Sequence, residues 1–353
     1  MTILGLPGGA SGFLQRHPVA CLLLLSPGIP EYLSGSSPTN SILLNPFMFL
    51  FQIVANLGLY GPGVLLVREA MVRWKKGWAT VLLLGAAYGI LEEGVALSTL
   101  FDPNANPVGK LGFYGQWLGV SWVWAAGILP VHMLFSISLP IMLLGIAVPR
   151  TNGASLLSRR RLWVASAILG LDVVLLFVFV SRVSGFWMGW PVFFSSLVAM
   201  ALLVFAARRV PSNALHAAND LPKRGPKLSF VVGALFYTAV LFAEFLGMGA
   251  GLPAAVDFVL VVALQGAYLF AVLRSLGSRG NERNLVAFAG GLVVPISAIG
   301  LISEASLPLT MLPALAFVVF IRMLWRLHPA SSRTDAALPL EPVATPIAGQ
   351  AGA

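Results

Sequence analysis

Two adjacent glutamates, Glu92 and Glu93, lie within a 24-residue apolar run, residues 78–101 (WATVLLLGAAYGILEEGVALSTLF). As a helix this run rises about 36 Å against a hydrocarbon core of about 30 Å. The pair therefore sits inside a bilayer, about 13 Å short of the end of the run. A charge at such a depth costs at least ~2.5–3.5 kcal/mol, so intramembrane carboxylates are functional candidates by default. Desolvation and mutual repulsion disfavour two full charges in one place, and the pair is expected to share a proton. An exchangeable proton suits either proton-coupled movement or general acid–base chemistry.

Forty residues on, His132 lies at a comparable depth in the next long apolar run, with Ser136 one turn further along the same face. Tyr88 precedes Glu92 by one turn and is placed to hydrogen-bond it, and Glu31 ends an apolar segment at the same membrane side. Glu92, Glu93 and His132 are the candidate catalytic residues. Glu31, Tyr88, Ser136 and Asn56 are the candidate solute- or proton-binding residues around them. Two Glu and one His would make an acceptable metal set, but no short ligand motif such as HExxH is present. No metal and no cofactor is expected, and no P-loop or GxGxxG motif occurs. On an ideal helix neighbouring glutamates point about 100° apart. Gly85 and Gly89 precede Glu93 at four-residue steps, a small-residue stripe that permits close helix approach.

The elements that must hold these groups are membrane helices. Of the 353 residues, 58% are hydrophobic and 10% charged, and the mean hydropathy is +0.88. A soluble domain carries about 25% charged residues. Ten apolar segments can be marked, at residues 18–33, 45–71, 78–101, 124–148, 162–182, 190–207, 228–248, 253–274, 285–303 and 307–325. None shows the ~10-residue alternation of a membrane β-barrel. The expected fold is all-α, a polytopic integral membrane protein of about ten transmembrane helices with both termini cytoplasmic.

The orientation follows from charge. Eighteen Lys and Arg fall in the loops and tails assigned to the cytoplasm, and only Lys110 and Arg182 in those outside. This is the positive-inside bias, and it accounts for the net charge of +9 without a nucleic-acid partner. The chain divides into a cytoplasmic N-terminus (1–17), a membrane domain of about six helices that holds the polar site (18–207) and a basic cytoplasmic loop (208–227). A membrane domain of about four helices (228–325) and a disordered cytoplasmic tail (326–353) follow. The first segment reads as a retained span; Pro27, Gly28 and Pro30 make it either a tilted helix or a half-helix lining a polar cavity. Cleavage as a signal peptide is the alternative. Asn56 and the Gly58/Gly61-Pro62-Gly63 cluster suggest a kink in the second span, with Arg68 and Glu69 able to pair or snorkel at its inner end. Residues 113–122, with Trp117 and Trp122, suit the membrane–water boundary. Asp172 and Glu244 are isolated in their spans, and Asp257, Gln265 and Tyr268 share a helical face. The single cysteine, Cys21, excludes an internal disulfide.

An adjacent Glu pair followed by a membrane His resembles the CPBP family, the CAAX-processing type of intramembrane protease, whose motifs are EExxxR, FxxxH and a final HxxxN or HxxxD. Glu92, Glu93 and His132 match; the Arg position is Leu97, the Phe position Ile128, and no later membrane His exists. The resemblance implies an intramembrane hydrolase built on the Glu pair and His132. The fuller set YGILEEG, FDPN, WVWA and HMLFSI resembles uncharacterised prokaryotic polytopic membrane proteins.

Three readings follow, in order. The first is a multi-pass protein of the cell membrane with an acidic site in its outer half, carrying a small solute or ion coupled to a proton. The second is a hydrolase in which His132 stabilises a developing oxyanion. The third is a non-catalytic protein whose buried acids fix helix packing. The lipid bilayer is the partner expected in all three, and the sequence leaves the oligomeric state open.

Overall fold

Asn45 and Pro46 open the longest helix. The Asn45 side chain accepts from Met48 N at 3.1 Å, and proline at the first position has no N–H to leave unpaired. The computed structural model describes residues 9–39, 41–106, 108–215, 225–276, 282–303 and 311–327. In chain order the helices are α1 (Gly9–Arg16), α2 (Pro18–Pro27), α3 (Ser41–Leu44), α4 (Pro46–Arg73), α5 (Trp78–Gly89), α6 (Trp122–Val131) and α7 (Leu139–Ala147). They continue with α8 (Arg159–Ser184), α9 (Trp190–Arg209), α10 (Pro226–Gly249), α11 (Ala254–Leu276), α12 (Glu282–Ser303) and α13 (Met311–Leu327).

The fold is all-α and polytopic. Each of the ten apolar segments falls on a helix, and among the described residues seven helices are long and apolar enough to cross a membrane. The first and last segments are shorter: α2 with its continuation ends at Tyr32, and α13 has 17 residues. Among the described residues the strands are those of one hairpin, β1 (Gln116–Trp117) with β2 (Val120–Ser121), in the stretch expected at the interface. Gly115, Leu118 and Gly119 adopt positive φ around it, which turns the chain too tightly for a helix. Trp117 and Leu118 are exposed at its tip.

Burial separates two kinds of helix. In the most apolar 18-residue windows, 67% of Trp78–Ala96 and of Trp122–Ala147 is buried, against 17% of α8 and 11% of α9. The outward residues of α8 are Trp163, Val164, Ile168, Leu171, Val174 and Leu175, an apolar face that only lipid would cover favourably. The two buried stretches are the ones that carry Glu92, Glu93 and His132.

The segment 122–147 joins two hydrophobic clusters. Ile137, Ile141 and Leu144 pack with Leu22, Tyr60, Val64 and Val81, whereas Phe135, Leu139 and Leu143 pack with Ile29, Val240, Val286 and Ile296. Glycines set the close approaches. A Cβ on Gly85 would lie 3.0 Å from Met133 Cα, and one on Gly89 would lie 3.3 Å from His132 Cβ. The small-residue stripe thus faces the segment bearing His132. The cluster around Pro62 works similarly: a Cβ on Gly61 would lie 2.3 Å from Leu23, and one on Gly63 would lie 2.3 Å from the Tyr88 ring. α4 runs unbroken through it.

Near the C-terminal end of α4 the Arg68–Glu69 pair is buried, so the snorkelling alternative is not the one adopted. Glu69 Oε1 meets Arg68 Nη1 at 3.3 Å and accepts from Leu156 N at 2.6 Å. Its Oε2 accepts from Arg73 Nε at 3.0 Å and from the Ser155 hydroxyl. Arg68 also donates to the carbonyls of Thr151 and Ala154. Every carboxylate oxygen has partners, and the network pins the loop after α7 to α4. Of the cytoplasmic loop, residues 216–224 lie outside the described residues, as do residues 328–353 of the tail expected to be disordered.

Candidate functional site: a buried Glu–Glu–His cluster

Three helices widen into π turns, and each widened turn carries one or more of the sequence-picked site residues. α2 continues as Gly28–Tyr32, bearing Glu31; α5 continues as Ile90–Ala96, bearing both glutamates; α6 continues as His132–Ser138. Their backbone bonds skip an extra residue, Leu33 N to Gly28 O at 3.2 Å and Leu97 N to Glu92 O at 2.8 Å. Such bulges occur frequently at functional sites because they re-aim side chains at the expense of regular pairing.

The widened turn corrects the expectation that Glu92 and Glu93 diverge. Both carboxylates address one imidazole. His132 Nε2 lies 2.7 Å from Glu93 Oε1, and His132 Nδ1 lies 3.0 Å from Glu92 Oε2 and 3.1 Å from Ser136 Oγ. Glu92 is 1% exposed, Glu93 6% and His132 3%, so the cluster lies inside the bundle and not against lipid. An imidazolium donates from both nitrogens and would serve both carboxylates at once.

Supporting groups hold the cluster from behind. The Thr99 hydroxyl donates to Glu93 Oε2 and receives Trp124 Nε1 at 3.3 Å. Thr99 follows Ser98, whose φ of +59° ends the helix immediately below the acids. A non-glycine residue in that region carries about 1–2 kcal/mol of strain. The Ser26 hydroxyl donates to Ser136 O at 2.7 Å and to Tyr60 O at 3.2 Å, tying α2 and α4 to the His132 turn.

From this cluster a polar trail leads towards the segment between α2 and α4. Tyr60 donates to Glu31 Oε1 at 2.5 Å, and its ring centroid lies 6.2 Å from His132 and 6.1 Å from Tyr88. Ser37 donates to Glu31 Oε2 at 2.9 Å and accepts from Asn56 Nδ2 at 2.9 Å. Glu31 and Asn56 are half-buried, whereas Tyr60 and Ser37 are buried. Glu31 is electrostatically coupled to Glu92 and His132. The seven sequence-picked residues therefore gather in one connected region.

Three buried side-chain atoms in it lack aligned hydrogen-bond partners among the described residues, Tyr88 Oη, Glu92 Oε2 and Ser98 Oγ. Glu92 Oε2 is ion-paired with His132 Nδ1 at 3.0 Å, and the Tyr88 hydroxyl interacts with Glu92, as their spacing suggested. Unpartnered buried oxygens cost free energy that a satisfied network such as that of Glu69 avoids. The ligand atoms of Glu92, Glu93 and His132 lie within 4.8 Å of one another, so the three can hold a metal ion, although no ligand motif announced it.

Sequence reasoning missed Tyr60, Ser37, Thr99 and Trp124. Tyr60 had a signal, since the glycines that flank it make room for aromatic neighbours. The weaker candidates lie elsewhere. Gln265 donates to Ala126 O at 2.6 Å, an ordinary helix–helix bond. Glu244 packs on Gly127, Asp257 on Gly247 and Asp172 on Gly58.

No curated protein and no solved structure matches the chain. The model of one family, described as an uncharacterized membrane protein family, matches residues 20–344, and it lends no support to the likeness to intramembrane proteases. By that match across most of its length, the chain belongs to this uncharacterized membrane protein family.

Proposed function

We propose that this multi-pass membrane protein is a carrier that moves a small solute or ion in exchange for, or together with, a proton held by Glu92, Glu93 and His132. One observation carries the reading: two carboxylates converge on the two nitrogens of one buried imidazole, at 2.7 and 3.0 Å, with no Lys or Arg among their contacts in the described residues, whereas Glu69 is paired with Arg68 and Arg73. A purely structural buried acid would be expected to resemble Glu69.

The charge arithmetic gives the coupling. With His132 protonated, both carboxylates have a donor between them. Removing that proton leaves an imidazole with one N–H, so one carboxylate keeps its donor and the other faces a ring-nitrogen acceptor, and the arrangement must open or take up another cation. The π turns offer the place to move, because i→i+5 pairing exchanges with i→i+4 pairing by a small shift of backbone. Asn56, Ser37, Glu31 and Tyr60 supply exchangeable or polar groups between the outer loops and the cluster. The cell membrane as location and the ten-crossing arrangement with cytoplasmic termini belong to this reading.

The test is flux in reconstituted vesicles under an imposed pH difference. The carrier reading expects Glu92→Gln and Glu93→Gln to abolish pH-dependent flux while the protein stays folded. Flux that ignores the pH difference, or that survives both substitutions, removes it. The contact between Glu93 and His132 also favours the hydrolase reading, in which the Glu pair activates water. That reading expects product formation in detergent, where no gradient exists, and loss of product on the same substitutions.

A further inference from the structure

The geometry points to a divalent first-row transition-metal cation as the ligand of this site, bound by Glu92, Glu93 and His132 with the Tyr88 hydroxyl beside them. As a ligand assignment it stands on the geometry alone; as the identity of the cargo it rests on the carrier reading.

Three observations converge. One ligand atom from each of the two carboxylates and the imidazole falls within a 4.8 Å sphere of mutual distance. Around a tetrahedral ion with bonds of ~2.1 Å, ligand atoms stand roughly 3.4 Å apart. Second, the Tyr88 hydroxyl is buried without an aligned hydrogen-bond partner and lies beside Glu92, whose Oε2 has only His132 Nδ1, at 3.0 Å, to face. A cation at the centre would satisfy the carboxylate directly, and the phenol would donate to a liganding oxygen or approach the ion itself.

Third, the surroundings have the form of an outer ligand shell. Ser136 Oγ stands 3.1 Å from His132 Nδ1, the position from which a hydroxyl fixes the tautomer of an imidazole that ligates through Nε2. Thr99 holds the far oxygen of Glu93, and Trp124 holds Thr99. Metal-ligating carboxylates are typically held in this way.

The donor set selects the ion. Imidazole with carboxylates suits zinc, manganese, iron, cobalt or nickel, whereas magnesium and calcium prefer all-oxygen shells. Only a neutral imidazole and ionised carboxylates ligate, so a bound cation and protons compete for the same atoms.

The experiment uses the full chain purified in detergent, stripped with a chelator and titrated with Zn2+ by calorimetry in two buffers of different ionisation heat. Mg2+ is the comparison ion. The expected result is one Zn2+ per chain, release of at least one proton, and no matching Mg2+ binding. Glu93→Gln and His132→Gln should each weaken Zn2+ at least tenfold, with Glu244→Gln leaving it unchanged. Thermal unfolding checks that each variant is folded. If those two variants do not fold, Tyr88→Phe decides: several-fold weaker Zn2+ supports the site, and unchanged affinity overturns it. Absence of Zn2+ binding, equal binding of Mg2+, or affinity indifferent to the folded variants also overturns it. Zn2+ binding without proton-coupled flux in vesicles would remove the carrier reading and leave the metal site; flux without Zn2+ binding would do the reverse.

Discussion

Replacing Glu93 by glutamine separates a working site from a structural one. The change removes the negative partner at 2.7 Å from His132 Nε2 but keeps an acceptor oxygen and the shape of the side chain. Glu92 remains 3.0 Å from Nδ1, so an imidazolium would keep one counter-charge. The cost is therefore that of one charge-assisted hydrogen bond, about 1.5–3 kcal/mol, and not the ~3–5 kcal/mol of a buried charge left alone. Glu69→Gln is the contrast. It leaves Arg68, 3% exposed, without its carboxylate, and the larger figure applies. Two assays on the same preparations decide: thermal unfolding in detergent, and flux in vesicles under a pH difference. The expected pattern is that Glu93→Gln loses coupled flux with a modest drop in stability, whereas Glu69→Gln loses more stability and its folded fraction still couples. The opposite pattern, with Glu93→Gln fully coupled and strongly destabilised, would refute the reasoning.

Three further perturbations follow from the geometry. Ser98→Gly should raise stability by about 1 kcal/mol, since glycine adopts the +59° φ without the penalty a side chain meets; a lower unfolding temperature would show that the hydroxyl has a role. Gly63→Val should destabilise by about 1–3 kcal/mol and displace Tyr88, because a Cβ there would lie 2.3 Å from its ring; unfolding temperature and tyrosine fluorescence read both effects. Tyr60→Phe removes the donor to Glu31 at 2.5 Å and should slow coupled flux severalfold while leaving calorimetric Zn2+ affinity within about twofold; a change in affinity larger than that in flux would place Tyr60 in the ligand set instead.

Much of the site was legible because charge is rare in this chain. Glu92, Glu93 and His132 stand out from long apolar runs, and Gly85 and Gly89 named the face on which the His132 segment would pack. The π turns were not legible, since a widened turn inside a uniformly apolar helix leaves no mark on its periodicity. For that reason the two glutamates were expected to diverge, and they converge. Thr99 and Trp124 were hidden because hydroxyl and aromatic residues are common in membrane proteins, and only the tertiary arrangement singles them out, whereas Tyr60 was marked by its flanking glycines alone. The hairpin at Gln116–Ser121 escaped an aromatic-belt reading that takes no account of backbone twist. Loop charges count ten segments, whereas length and composition select seven helices among the described residues, because α2 is short and interrupted by proline, α13 stops at 17 residues, and in α11 the qualifying apolar stretch is only Ala254–Leu269.

The central claim is that the buried cluster exchanges a proton, and infrared difference spectroscopy of the membrane-reconstituted chain during a pH change observes that exchange directly. The account predicts a carboxyl band that appears on acidification and is altered by Glu92→Gln and by Glu93→Gln, together with a histidine ring band lost in His132→Gln. Spectra in which neither band changes with pH, or in which the bands persist unaltered in all three variants, would contradict it.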